Sequence, residues 1–391
     1  MDLSPSIPSD PCALPEGCRT LGRSSGETLL AQRLFPWRRF GHGSTLLVVL
    51  AATRTAEHPG ISAAGATPES RRFTALADAE LLLEGPRGQR RWPLPPLPAG
   101  VTPALLSHVA LCRLPLSPLL AAVGLEHPAP FPHLRLEPAR WGPAECVSSG
   151  RAMPLARVER LWRQGMHLGA RLRGPVLLTE CVPGGTTTAQ AVLSALGVCV
   201  GSLISGSAQQ PPQSLKRILV EQGLQLASLP DRPSPTAVLA AVGDPFQAVA
   251  AGFLVAARHP VLLGGGSQMA AVLALALSAL NRTERLALSD RVLLGTTAWL
   301  AEERLDAEHQ PALGILLDRV GQHFDVYLTG LASGIRFHNS RISALRDYER
   351  GFVKEGVGAG ALLLLAQLQG HTPSALVEAC ELAVDQLQAS P

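Results

Sequence analysis

The chain has 391 residues, 46% of them hydrophobic and 17% charged, with a formal net charge of +3. That balance fills a large core and excludes a disordered chain. The near-neutral charge excludes the electrostatic footprint of a nucleic-acid binder.

Residues 1–40 read as an extended tail and lead-in. They lack the basic-then-apolar order of a signal peptide. The apolar run 46–52 reads as a short buried strand. Gly60, Gly65 and Pro68 punctuate 59–68, which must be loop. Prolines crowd 92–143, and "WPLPPLP" at 92–98 reads as a surface connection, with a polyproline II ligand for a partner domain as the second reading. From 155 onward the rhythm is regular. Helices are expected at 155–172, 187–196, 214–222, one or two within 236–257, 269–280 and 314–320. Strands are expected at 175–179, 198–206 with its loop, 260–263 and 291–294. The apolar run 261–280 is near membrane length, but Gly264, Gly265 and Gly266 interrupt it, and the remaining helical part is too short to cross ~30 Å at ~1.5 Å per residue. Residues 348–391 hold a loop, a glycine cluster and two helical stretches without a strand.

Strands alternating with helices over short connections predict an α/β fold, a Rossmann-like three-layer parallel sheet. The expected organisation is a tail at 1–40, a nucleotide-binding α/β domain at 41–345 with a Pro-rich insertion near 92–143, and a C-terminal helical segment at 346–391. The N- and C-terminal segments together are expected to make a smaller helical lobe. The seven cysteines are irregularly spaced with no CxxC pair, which predicts a reduced, cytoplasmic protein. HExxH does not occur among the scattered histidines, so a zinc site has no support.

In such sheets ligands bind beyond the carboxyl ends of the strands. Glu180 stands at one such end, followed by Gly184-Gly185-Thr186-Thr187-Thr188 opening a helix. Glycines let backbone approach a ligand, and a helix start attracts anions, so the turn is a candidate phosphate cradle; the alternative is a threonine cap after a tight turn. Gly264-Gly265-Gly266 after the next strand offers a further backbone-lined wall. Near the C-terminus, Glu355 precedes Gly356, Gly358 and Gly360. A carboxyl desolvated in a glycine-lined pocket can act as a general base.

Four stretches together, "PGISAAGATPE" (59–69), "ECVPGGTTTAQAVLSALG" (180–197), "GDPFQAVAAGFLVAARHPVLLGGGSQM" (243–269) and "KEGVGAGALLLL" (354–365), resemble the nicotinate-nucleotide:dimethylbenzimidazole phosphoribosyltransferase family, in its archaeal and cyanobacterial branch. The resemblance implies transfer of phosphoribosyl from nicotinate mononucleotide to an aromatic nitrogen base, for the lower ligand of cobamides, without a cofactor. It implies Glu355 as the catalytic general base. It places Glu180, Gly184, Gly185, Thr186, Thr187, Thr188, Gly264, Gly265, Gly266, Ser62, Gly356 and Gly358 around the substrates. It also implies a cytoplasmic homodimer without nucleic-acid or membrane partners. The chain departs from the family pattern at three places. Gly264-Gly265 stands for Asp-Gly, Gly185 for Asn, and the loop of Ser62 has no matching histidine. A non-catalytic nucleotide-binding protein on the same scaffold is the alternative.

Overall fold

A computed structural model describes residues 13–23, 26–38, 43–305 and 310–389. The stretch 1–12, read as extended tail, lies outside the described residues. Eight strands form one sheet among them: β1 (Arg19–Leu21), β2 (Thr45–Ala51), β3 (Ser117–Val123), β4 (Leu134–Arg135), β5 (Val176–Cys181), β6 (Val261–Gly264), β7 (Val292–Thr296) and β8 (Gly330–Ala332). Their order is β1-β8-β7-β6-β5-β2-β3-β4. Only β1 runs antiparallel, paired with β8.

The central strands are unbroken apolar runs, such as TLLVVLA in β2, because both faces of a parallel sheet are covered. The period of two divides each run between two cores. Leu47, Val49 and Ala51 belong to one core; Leu46, Val48 and Leu50 belong to the other. The first core is closed by helices that include Leu155–Arg171, Gly185–Ala195, Pro245–Ala256, Ser267–Ser278 and Ala312–Phe324. The second is closed by Glu27–Arg38, Pro68–Glu84, Pro103–Leu111, Ala359–Leu368 and Pro373–Gln388.

The three-layer α/β sheet is as expected. The terminal helical segments do come together, but as a layer over one sheet face instead of at its end. Glu27–Arg38 packs on Ala359–Leu368 and puts Leu34 and Trp37 into the second core. The lead-in therefore corrects to a strand and a helix. The expected strand at 198–206 is irregular backbone, and the Pro-rich region 92–143 supplies two strands and a helix to the main fold. No helix among the described residues is long and apolar enough to cross a membrane.

Candidate active site

The strand order reverses between β5 and β2. From β2 the chain moves to β3 and β4 on one side, and from β5 to β6, β7 and β8 on the other. A crevice opens at such a switch point, beyond the carboxyl ends of the two strands. A cavity of about 310 Å³ lies there.

One end of it is lined by the starts of two helices. The turn after β5 enters helix Gly185–Ala195, and the turn after β6 enters helix Ser267–Ser278. Both helices present their N-terminal ends to the cavity through Gly184, Gly185 and Thr186, and through Gly266, Ser267 and Gln268. The positive ends of two helix dipoles thus face the same space. Gly184 takes the left-handed φ of 81°, and a Cβ there would lie 2.9 Å from the Ala56 backbone nitrogen. Behind the wall is Lys216, fully buried. Its Nζ donates to Thr186 Oγ1 at 3.0 Å and to the Ser205 carbonyl at 2.5 Å. Burial lowers its pKa to about 7, against the upward pull of Glu303, and Lys354 lowers it further. A bound anion would favour its charged form.

Two carboxyls open on the same cavity. Glu180 stands at the tip of β5. Burial pushes it up to about 8; the Asp244 charge adds to this, the Val182 backbone N–H opposes it, and Glu355 raises it again. Glu355 arrives from the loop before helix Ala359–Leu368. Its Oε2 accepts from Thr296 Oγ1 (3.1 Å) and the Thr297 N–H (2.9 Å). Its Oε1 accepts from the N–H groups of Gly356 and Gly360, each at 3.2 Å. Burial still outweighs these four donors and pushes Glu355 up to about 7.

The loop that carries Glu355 is strained. Val353, Lys354 and Val357 have φ of 62°, 31° and 51°, values that cost a non-glycine residue free energy, a β-branched one most. Tertiary bonds hold it there. Val353 N–H donates to the Ser207 carbonyl at 3.0 Å, and Val357 N–H to the Glu180 carbonyl at 3.2 Å. Lys354 Nζ pairs with Glu303 at 2.7 Å. The two glutamates are therefore linked through backbone as well as through space.

Of the residues singled out from sequence, Ser62, Glu180, Gly184, Gly185, Thr186, Gly266, Glu355 and Gly356 line the cavity. Thr187, Thr188, Gly264, Gly265 and Gly358 are not in its lining. Thr188 Oγ1 donates to Asp244 at 2.6 Å. Asp244 also accepts from Gln268 Nε2 at 2.8 Å and caps helix Pro245–Ala256, so Asp244 ties three helices together. Gly358 and Gly264 pack against Thr179. The "WPLPPLP" segment is an irregular connection without a fully buried residue, as expected, and its Leu94, Pro95 and Leu97 also line the cavity. Sequence reading also passed over Lys216, Asp78 and Ser205. A signal for the first was present. Only two of the 34 basic residues are lysines, Lys216 and Lys354, and both are buried here. A compact cation whose pKa shifts on burial is what distinguishes Lys from Arg.

The UPF0284 protein of Parasynechococcus marenigrum is 69% identical over 388 residues, 99% of this chain and 98% of that protein. The chain belongs to the UPF0284 family. A UPF0284 protein of Prochlorococcus marinus is 57% identical over 395 residues, covering 98% of each. One of Cyanothece sp. is 42% identical over 355 residues, covering 88% of this chain and 92% of its own. A family model described as "Phosphoribosyltransferase" matches residues 123–308 of this UPF0284 protein, a span that holds Glu180 and Lys216 but neither Ser62 nor Glu355. The fold is shared with CobT from Thermus thermophilus, at TM-score 0.56 and 19% identity, over 90% of this chain and 89% of that one. It is shared also with a nicotinate-nucleotide-dimethylbenzimidazole phosphoribosyltransferase from the same organism, at TM-score 0.53 and 18% identity, over 87% and 82%.

Proposed function

We propose that this protein transfers the phosphoribosyl group of nicotinate mononucleotide to a ring nitrogen of an aromatic base, in the synthesis of a cobamide lower ligand. One observation carries the reading: Glu180 and Glu355 open on a single cavity whose anion-binding end is made by two helix N-termini. The 5′-phosphate lies against Gly184, Gly185, Thr186 and Ser267, with Lys216 behind Thr186. Glu180 faces the ribose. The bond from the anomeric carbon to the nicotinate nitrogen breaks, and nicotinate leaves with the electron pair. The acceptor nitrogen forms the new bond to that carbon, and its N–H proton passes to Glu355. Positive charge developing on the ribose favours the ionised form of both carboxyls. Holding donor and acceptor in line can supply up to roughly 7–11 kcal/mol of the barrier.

The test is release of nicotinate from nicotinate mononucleotide with a panel of aromatic bases. Protein that binds the nucleotide but releases nothing would be a non-catalytic binder on the same scaffold. Within the same assay, Thr186→Val should raise the nucleotide's apparent dissociation constant by roughly 10-fold through loss of a hydrogen bond to a charged group. Thr187→Val, at a hydroxyl buried without a partner, should leave it unchanged. Equal effects would mean that helix Gly185–Ala195 does not present Thr186 to the phosphate.

The reading includes a homodimer in the cytoplasm. Exposed Leu155, Ile218 and Leu226 leave apolar surface for a partner copy. Light scattering at micromolar concentration should give twice the chain mass; a monomer would remove the dimer from the reading.

A further inference from the structure

The apolar end of the cavity contains a charged group that the reaction above leaves unused. Asp78 lies on helix Pro68–Glu84, is 5% exposed, and lines the cavity. Its Oδ1 accepts from Thr102 Oγ1 at 2.7 Å. Its Oδ2 has the Cys181 thiol at 3.6 Å, a weak donor. The neighbouring walls are Leu94, Pro95, Leu97, Val101 and Pro103. A carboxylate buried among such groups costs free energy unless its oxygens find donors. Burial pushes its pKa up to about 6, while the Thr102 hydroxyl and the Cys181 thiol oppose this; both neighbours donate to it, so the group they hold is an acceptor.

Asp78 and Glu355 line the same cavity, and a short run of contacts joins them. Gly356, next to Glu355, lies against Pro103, where an added Cβ would come within 3.2 Å of the proline ring. Thr102, next to Pro103, holds Asp78. The two carboxyls therefore flank one apolar slot. Glu355 meets the reacting nitrogen there, and Asp78 Oδ2 is left facing whatever else the base carries. A base with only hydrocarbon substituents would leave Oδ2 with nothing but the weak Cys181 donor, and a site built to hydrogen-bond a polar group discriminates strongly against an analogue that lacks it.

We propose that Asp78 reads the acceptor: the slot selects an aromatic nitrogen base that carries an amino or hydroxyl donor besides its reacting nitrogen, over one bearing methyl groups. This inference rests on the phosphoribosyl-transfer reading for the identity of the ligand. It can nevertheless be tested by binding alone.

The probes are an amino-substituted benzimidazole and its methyl-substituted isostere, titrated calorimetrically into the full-length protein with and without nicotinate mononucleotide. Wild type should bind the amino compound roughly 10–100-fold more tightly, the range of one hydrogen bond to a charged group. Asp78→Leu should reverse the preference, and Asp78→Asn should cut it to a few-fold. Both variants should bind nicotinate mononucleotide as wild type does. Wild type that prefers the methyl compound, treats the two alike or binds neither would overturn the assignment, as would a preference that survives in Asp78→Leu. Should Asp78→Leu fail to fold, the wild-type pair and Asp78→Asn still decide it. Nicotinate release, assayed with the same pair, separates the two claims. Tight amino binding without release removes the transfer reading and keeps Asp78, whereas release with equal use of both bases does the reverse.

Discussion

Glu355→Gln should lower the rate of nicotinate release by ~10²–10⁴-fold, the usual cost of losing a positioned general base and roughly 3–5 kcal/mol of barrier, while nicotinate mononucleotide should still bind. The amide keeps the shape of the carboxyl but cannot take a proton. It also meets four donors, two on each oxygen of the native residue. Its NH₂ must face one of those pairs, so a stability loss of about 1–3 kcal/mol accompanies the kinetic one. The intact binding isotherm shows that the site has survived. The pH profile is the sharper check. Glu355 works as the carboxylate, and burial has pushed its pKa up to about 7. The rate should therefore be full above that value and fall as pH drops through it, well above the ordinary carboxylate range near ~4.3. The acid limb should be missing from the residual rate of Glu355→Gln. A wild-type profile flat down to pH ~5 would move the base to another residue.

Gly360→Ala should damage fold and rate together. A Cβ at Gly360 would lie 1.9 Å from the Thr296 carbonyl carbon and 2.0 Å from the Thr297 nitrogen. Both are backbone at the end of β7, so no side chain can swing away. Helix Ala359–Leu368 must shift off the sheet instead, at a cost of roughly 1–3 kcal/mol or more. The Gly360 N–H also donates to Glu355, so the shift draws the carboxyl out of place. Displacing a catalytic group by ~1 Å can cost ~10²-fold. Denaturant unfolding and kcat measured on the same preparation would show both losses. Wild-type values for both would mean that the helix does not sit as closely as described.

The sheet was legible because buried parallel strands declare themselves as short apolar runs, as at Val176–Cys181 and Val261–Gly264. Glu180 and its glycine turn were legible because a carboxylate ending such a run is unusual. The three threonines show the limit. Successive residues of a helix point ~100° apart, so the phase of helix Gly185–Ala195 decides that Thr186 faces the cavity and Thr188 faces Asp244. Sequence adjacency does not contain that phase. Helix Glu27–Arg38 escaped notice because its apolar residues follow no clear stripe and Pro36 interrupts it. Asp78, within LADAELLL, has the look of an ordinary exposed helical acid. Its burial is decided by segments far along the chain, Thr102 and Cys181. The role of Leu94, Pro95 and Leu97 is likewise tertiary, since proline-rich composition says nothing about what a strap covers.

The pairing of β1 with β8 bears on synthesis at the ribosome. The chain segment made first finds its sheet partner only when Gly330–Ala332 has emerged, and the nearby Cys18 thiol bonds Gln367, 349 positions downstream. At ~5–20 residues per second, that interval is roughly 20–70 s. Throughout it β1 has no strand to pair with, and the loop of Glu355 has not yet been translated when the phosphate cradle is already complete. Any chaperone that attends this protein during translation would be needed most while β1 is unpaired.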